Sequence, residues 1–105
     1  MANGKMNKML KQVQKVQAQM VKMQEELKSR QVEASSGGGV VRAVVSGDKE
    51  LQELHIEPEL LEEDVEMLAD LVISAVNEAL RKAEAMVNQE MQKIGGNLGL
   101  PGNLF

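Results

Sequence analysis

Hydrophobic residues recur along the first third of the chain at Met6, Met9, Val13, Val16, Met20, Met23 and Leu27, at intervals of 3, 4, 3, 4, 3 and 4. This is the a/d seam of a heptad repeat, and it predicts one long helix over residues 5–30. Apart from Gly4 near its start, the stretch has no Gly or Pro to break it. The pattern changes at residue 31. "QVEASSGGGVVRAVVSGDKELQELHIEP" carries β-branched residues, short alternations and turn signals. It predicts three strands, over residues 31–36, 39–46 and 51–57, with Gly37, Gly38 and Gly39 in the first turn and "SGDKE" in the second. Alternation places Val41, Ala43 and Val45 on one face and Val40, Arg42 and Val44 on the other. With valines on both faces, the sheet is expected to be covered on more than one side.

Pro58 ends the third strand, and "ELLEED" leads into a second helix over residues 64–94 with Asp64 as its N-cap. Glu62, Glu63, Asp64 and Glu66 cluster where the helix dipole favours negative charge. Val65, Leu68, Val72, Val76, Ala79, Ala83, Val87 and Met91 form the apolar stripe of that helix. Residues 95–105, "GGNLGLPGNLF", are broken by Gly and Pro and read as a flexible tail or a strap on the surface. The fold class is therefore α+β: a helix, a three-stranded antiparallel meander and a helix, forming one domain over residues 1–94. A 25-residue helix is about 37 Å long, more than so small a core can cover. Its seam needs a partner helix, either the second helix of the same chain or a second copy. A homodimer is expected, in which the two chains complete each other's cores.

Composition narrows the function. The 105 residues suit one domain, and no apolar run is long enough for a membrane span. "MANGKMNKML" lacks the apolar centre of a signal peptide. Without Cys there is no disulfide, thiolate nucleophile or Cys-ligated metal, which suits a reducing compartment such as the bacterial cytoplasm.

The formal net charge of −4 hides an asymmetry. Residues 1–30 hold seven cations and two anions, whereas residues 31–105 hold five cations and fourteen anions. A basic segment on an acidic chain points to a polyanionic or acidic partner. The plainer reading is a solvated helix face rich in Lys.

Candidate chemistry thins out on inspection. His55 is the only histidine, and it sits in a strand where a surface role is the ordinary one. Ser35 and Ser36 lack a base at a spacing that suggests a nucleophile elbow. "SSGGGVV" lacks the Lys-Ser/Thr of a phosphate loop and leads into a strand, so it reads as a turn. "EPELLEED" lacks the residue order of a calcium loop and reads as capping. The methionines lack an accompanying His or Cys and read as adaptable packing rather than a metal site. No cofactor, metal, small-molecule substrate or enzymatic activity is expected.

The lysines, by contrast, have geometry. With Met6 at position a, Lys8, Lys15 and Lys22 fall at c, Lys11 at f and Lys28 at b, all facing away from the seam. From Lys8 to Lys22 is about 21 Å along the axis. Duplex DNA of that length presents roughly a dozen phosphate charges. Lys is a flexible point charge that suits phosphate and reads no bases. Gln12, Gln14, Gln17 and Gln19 lie alongside, able to donate to phosphates or simply favouring the helix. The absence of Trp and Tyr removes the stacking platforms of single-strand and RNA-loop binders, so duplex DNA fits better. A rival reading is a protein-interaction module whose Met-lined seam holds a helix from another protein.

"GGGVVRAVVSGDKELQELHIEPELL", followed by "DVEMLADLVISAVNEALRKAEA", resembles the YbaB/EbfC family of bacterial nucleoid-associated proteins, as do the Lys/Gln/Met-rich first helix and "GGNLGLPG". The resemblance spans nearly the whole chain. It implies a tweezer-like homodimer with helical arms projecting from a shared sheet, binding duplex DNA and acting on nucleoid organisation and gene expression. It attributes DNA contact to basic residues of the arms. Here these are Lys5, Lys8, Lys11, Lys15 and Lys22, with Lys28 and Arg30 at the base, and Arg81, Lys82 and Lys93 in the second helix.

Overall fold

In the computed structural model, which describes residues 2–97, a long N-terminal helix stands out from a sheet that a second helix covers. The described chain runs as α1 (Ala2–Ser29), β1 (Gln31–Ser36), β2 (Val41–Ser46), β3 (Leu51–Ile56) and α2 (Val65–Asn97). Short 3-10 turns fill Gly37–Gly39 and Pro58–Glu62. The strands form one antiparallel sheet in the order β1-β2-β3, the expected meander.

Alternation decides the core. Val41, Ala43 and Val45 of β2 are fully buried, and register sets Ala43 between Ala34 of β1 and Leu54 of β3. Against this face α2 presents Ala75, Ala79 and Ala83, one residue per turn, all fully buried. Three alanines in line let the helix backbone lie close on the sheet without leaving voids. Leu68, Leu71, Val72, Val76 and Leu80 pack around them. The expected stripe of α2 thus holds at its centre and fails at its first residue, Val65, which is exposed at the start of the helix. Val44, on the opposite face of β2, is also buried. β3 carries Gln52 as an extra residue opposite Val44 and Val45, a bulge that bends this edge strand.

Several element boundaries move by a few residues. The first helix starts at Ala2 rather than residue 5 and passes through Gly4. β2 begins at Val41 rather than 39, because Gly39 and Val40 belong to the turn. β3 stops at Ile56, one residue short of the expected end, where Glu57 is held extended before Pro58. α2 continues three residues beyond 94, through Gly95 and Gly96. A helical Gly costs only about 1 kcal/mol relative to Ala, so glycine alone does not end a helix. The rest of the expected tail lies outside the described residues. Asp64 caps as expected: its Oδ1 accepts the Glu66 N–H at 3.0 Å.

The first turn requires its glycines. Gly37, Gly38 and Gly39 take φ of +60°, +72° and +101°, a run that residues with a Cβ adopt only at a cost. Ser36 Oγ then donates to the Leu71 carbonyl at 2.6 Å, fastening the turn to α2.

Candidate nucleic-acid interface

α1 is a 28-residue helix, about 42 Å long. The molecule is elongated, extending 77 Å along one axis against 20 and 16 Å along the others. Its seam is graded. Met6, Met9 and Val13 are more than half exposed, Val16, Met20 and Met23 are half-buried, and Leu27 is 2% exposed. The second helix of the same chain does not cover the distal seam. It meets α1 at the base, where Arg30 pairs with Glu90 at 3.7 Å and Leu27 faces a cavity it shares with Val87.

The candidate cations fall into two groups. Lys5, Lys8, Lys11, Lys15 and Lys22 are exposed along the arm, and none of them takes part in an ion pair among the described residues. The others are engaged with the protein. Lys28 lies 3.6 Å from Glu25, and Arg30 pairs with Glu90. Arg81 reaches Glu78 at 2.8 Å and Lys93 reaches Glu90 at 3.2 Å. Lys82 Nζ donates to the Glu33 carbonyl at 3.1 Å, tying α2 to β1. Two further cations sit on the body: Arg42 at 3.1 Å from Glu33 and Lys49 at 3.6 Å from Glu84.

Sequence spacing separates the groups in part, since Lys22 of the arm has Glu25 and Glu26 three and four residues after it. Glu25, Glu78 and Glu90 each stand three residues before Lys28, Arg81 and Lys93, the spacing that brings side chains together on a helix. No acid stands within four residues of Lys5, Lys8, Lys11 or Lys15. The Lys82 contact joins residues 49 apart in sequence and has no such local signature.

Chemically, the arm is a row of mobile, hydrated point charges with amide side chains between them. It has no aromatic side chain on which a base could stack. Such a surface neutralises phosphates and carries little sequence readout. Among the described residues no group of three or more His, Asp or Glu side chains is placed to hold a metal ion, and no helix is long and apolar enough to cross a membrane.

Comparison with known proteins gives the same direction. Residues 2–98 match the model of the YbaB/EbfC DNA-binding family. A protein of Moorella thermoacetica named "Nucleoid-associated protein" is 55% identical over 103 residues, covering 97% of this chain and 99% of its own. A protein of Pelotomaculum thermopropionicum with the same name is 52% identical over 103 residues, covering 97% and 98%. Among solved structures, that of an uncharacterized protein from Helicobacter pylori superposes with a TM-score of 0.62 at 26% identity, over 75% of this chain and 93% of its own.

Proposed function

The chain belongs to the YbaB/EbfC DNA-binding family, and we propose that it works as a homodimer whose two α1 arms hold duplex DNA through Lys5, Lys8, Lys11, Lys15 and Lys22. The observation that carries this reading is the division of the cations: these five lysines face solvent without acidic partners among the described residues, while the other cations are engaged. The acidic body repels DNA and confines contact to the arms. Lys28 and Arg30 sit where each arm joins the body and add charge at its base. Arg81 and Lys93 are engaged by acids of their own helix, and Lys82 ties α2 to β1. On this reading the protein sits on the nucleoid of a bacterial cell, where arm contacts that read charge rather than bases affect DNA organisation and gene expression.

Two uncovered apolar surfaces support the second copy. One is the distal seam, Met6, Met9 and Val13. The other is β3, whose Leu51 and Leu54 point to the core face yet remain 44% and 39% exposed, because α2 packs over β1 and β2. A sheet edge of this kind is a site for pairing with another chain.

The test is duplex binding across a range of salt concentrations. Three to five phosphates neutralised per protomer give six to ten per dimer, and a log–log slope of about −5 to −9. A variant with Lys8, Lys11, Lys15 and Lys22 all changed to Ala is expected to stay dimeric while losing affinity and most of that slope. A parent slope near zero, or a variant that binds like the parent, overturns the assignment.

A further inference from the structure

Leu27 is the one buried side chain of α1 among those described, and the backbone around it is unusually close to the β2–β3 turn. The Gly47 N–H donates to the Arg30 carbonyl at 2.9 Å. A Cβ placed on Gly47 would lie 1.8 Å from the Leu27 carbonyl oxygen and 2.8 Å from its carbon. Those are backbone atoms, so no side-chain rotation relieves the overlap. Gly47 is not in a left-handed conformation. It is glycine because the base of the arm rests on it.

The turn is itself braced. Ser46 is buried, its hydroxyl bonds to the Asp48 carboxylate, and it accepts the Glu50 N–H at 3.2 Å. Lys49 then pairs with Glu84 of α2, and Arg30 with Glu90. The joint therefore meets a rigid turn on one side and α2 on the other. Between them lies a cavity of about 210 Å³ lined by Gln24, Leu27, Lys28, Gly47, Asp48 and Val87.

We infer that Gly47 is a positioning residue for DNA binding: its backbone contact with Leu27 and Arg30 sets the angle at which the lysine arm leaves the body. The inference rests on the arm being the DNA-binding element. Leverage makes the angle matter. A tilt of about 10° at the base of a 42 Å helix moves its tip by about 7 Å, roughly two base-pair rises. A dimer with misdirected arms keeps every cation yet engages fewer phosphates at once. The joint's failure thus differs from loss of charge.

The experiment uses the absence of native Cys. Spin labels go on Gln12→Cys in the arm and Glu59→Cys on the body of one chain, mixed with excess unlabelled chain. The distance distribution between them is measured without DNA, in the parent and in Gly47→Ala. Duplex binding is measured over salt in the same proteins, with Val72→Ala as a body variant that weakens packing at the far end of the sheet from the joint. The expected result is a shifted or broadened distance in Gly47→Ala, with a salt slope shallower by about a third and affinity down about tenfold. Val72→Ala keeps both the parent distance and the parent slope.

An unchanged distance in Gly47→Ala overturns the inference. So does a shifted distance with an unchanged slope, or an equal loss of slope in Val72→Ala. If Gly47→Ala does not fold, Leu27→Ala removes the anchoring side chain without intruding on backbone, and the same criteria apply to it. A parent that binds no duplex removes the DNA-binding reading and this inference with it. A parent that binds with the expected slope while the joint variants bind identically overturns this inference alone.

Discussion

α1 and α2 are helices of similar length, 28 and 33 residues, and both carry an apolar stripe along one side. They meet opposite environments. The stripe of α2 is spent on the sheet, with Ala75, Ala79 and Ala83 fully buried. The stripe of α1 is fully buried only at Leu27, while Met9 stays 66% exposed. Their cations differ in the same sense, since those of α2 are tied to Glu78, Glu90 and the Glu33 carbonyl, while the distal lysines of α1 are not. An amphipathic period thus says that a face must be covered. It does not say by what. Composition supplies part of the answer: Ala and Val fit a fixed sheet, whereas Met and Val flanked by Lys and Gln suit a surface that meets something outside the chain.

The sharpest way to break this contrast is to put the same kind of change into both helical systems. Val41→Asp places an unpaired carboxylate at a fully buried site against α2. It is expected to cost more than about 4 kcal/mol and to abolish the cooperative urea transition. Met9→Asp on the arm is expected to leave that transition nearly intact at low protein concentration while weakening the dimer. Sedimentation at several concentrations checks this. If Met9→Asp unfolds the monomer, the arm is part of the core and the contrast is lost.

A second comparison lies within the glycine turn. A Cβ on Gly37 would stand 2.7 Å from Val40 Cγ2 and 3.2 Å from Leu71, whereas one on Gly38 meets nothing within 4 Å. Both have positive φ. Gly38→Ala therefore carries backbone strain alone, about 1 kcal/mol, and Gly37→Ala carries strain plus a clash, about 2 kcal/mol. Urea midpoints order the two. Equal losses would mean that Val40 and Leu71 give way freely.

Asp64→Ala tests the N-terminus of the covered helix. Removing the carboxylate that accepts the Glu66 N–H is expected to cost about 1 kcal/mol, with no effect on DNA affinity beyond the fall in stability.

Much of the body was legible in the sequence because its periods are short and consistent. The alternation of Val41, Ala43 and Val45, the three glycines and Asp64 each name a local geometry that the fold then uses. What stayed hidden is long-range. Nothing local says that Lys82 reaches back to Glu33, or that Gly47 is pressed against Leu27 twenty residues earlier. The serine and aspartate around Gly47 read as an ordinary turn. The arm lysines were legible as a stripe, and the i,i+3 acids separate Lys5, Lys8, Lys11 and Lys15 from Arg81 and Lys93 without any structure, while Lys22, with Glu25 and Glu26 in reach, needed the structure. The ending of α2 was misjudged for a physical reason: its final glycines weaken a helix that α2 still carries through them.

The smallest expected effects give the most specific test, because they turn on which cations are free. Arg81→Ala and Lys93→Ala each remove one exposed i,i+3 pair and are expected to cost no more than about 0.5 kcal/mol, with the salt dependence of duplex binding unchanged. Lys8→Ala and Lys15→Ala remove no ion pair and are expected to leave the urea midpoint where it was. In a dimer each deletes two phosphate contacts, so each is expected to reduce the magnitude of the log–log slope by about 1.8. The two pairs of variants should therefore separate on orthogonal axes, stability for one and salt slope for the other. If Arg81→Ala flattens the slope as much as Lys8→Ala does, the ion pair with Glu78 opens in the complex. The division between arm and body cations would then belong to the free protein alone.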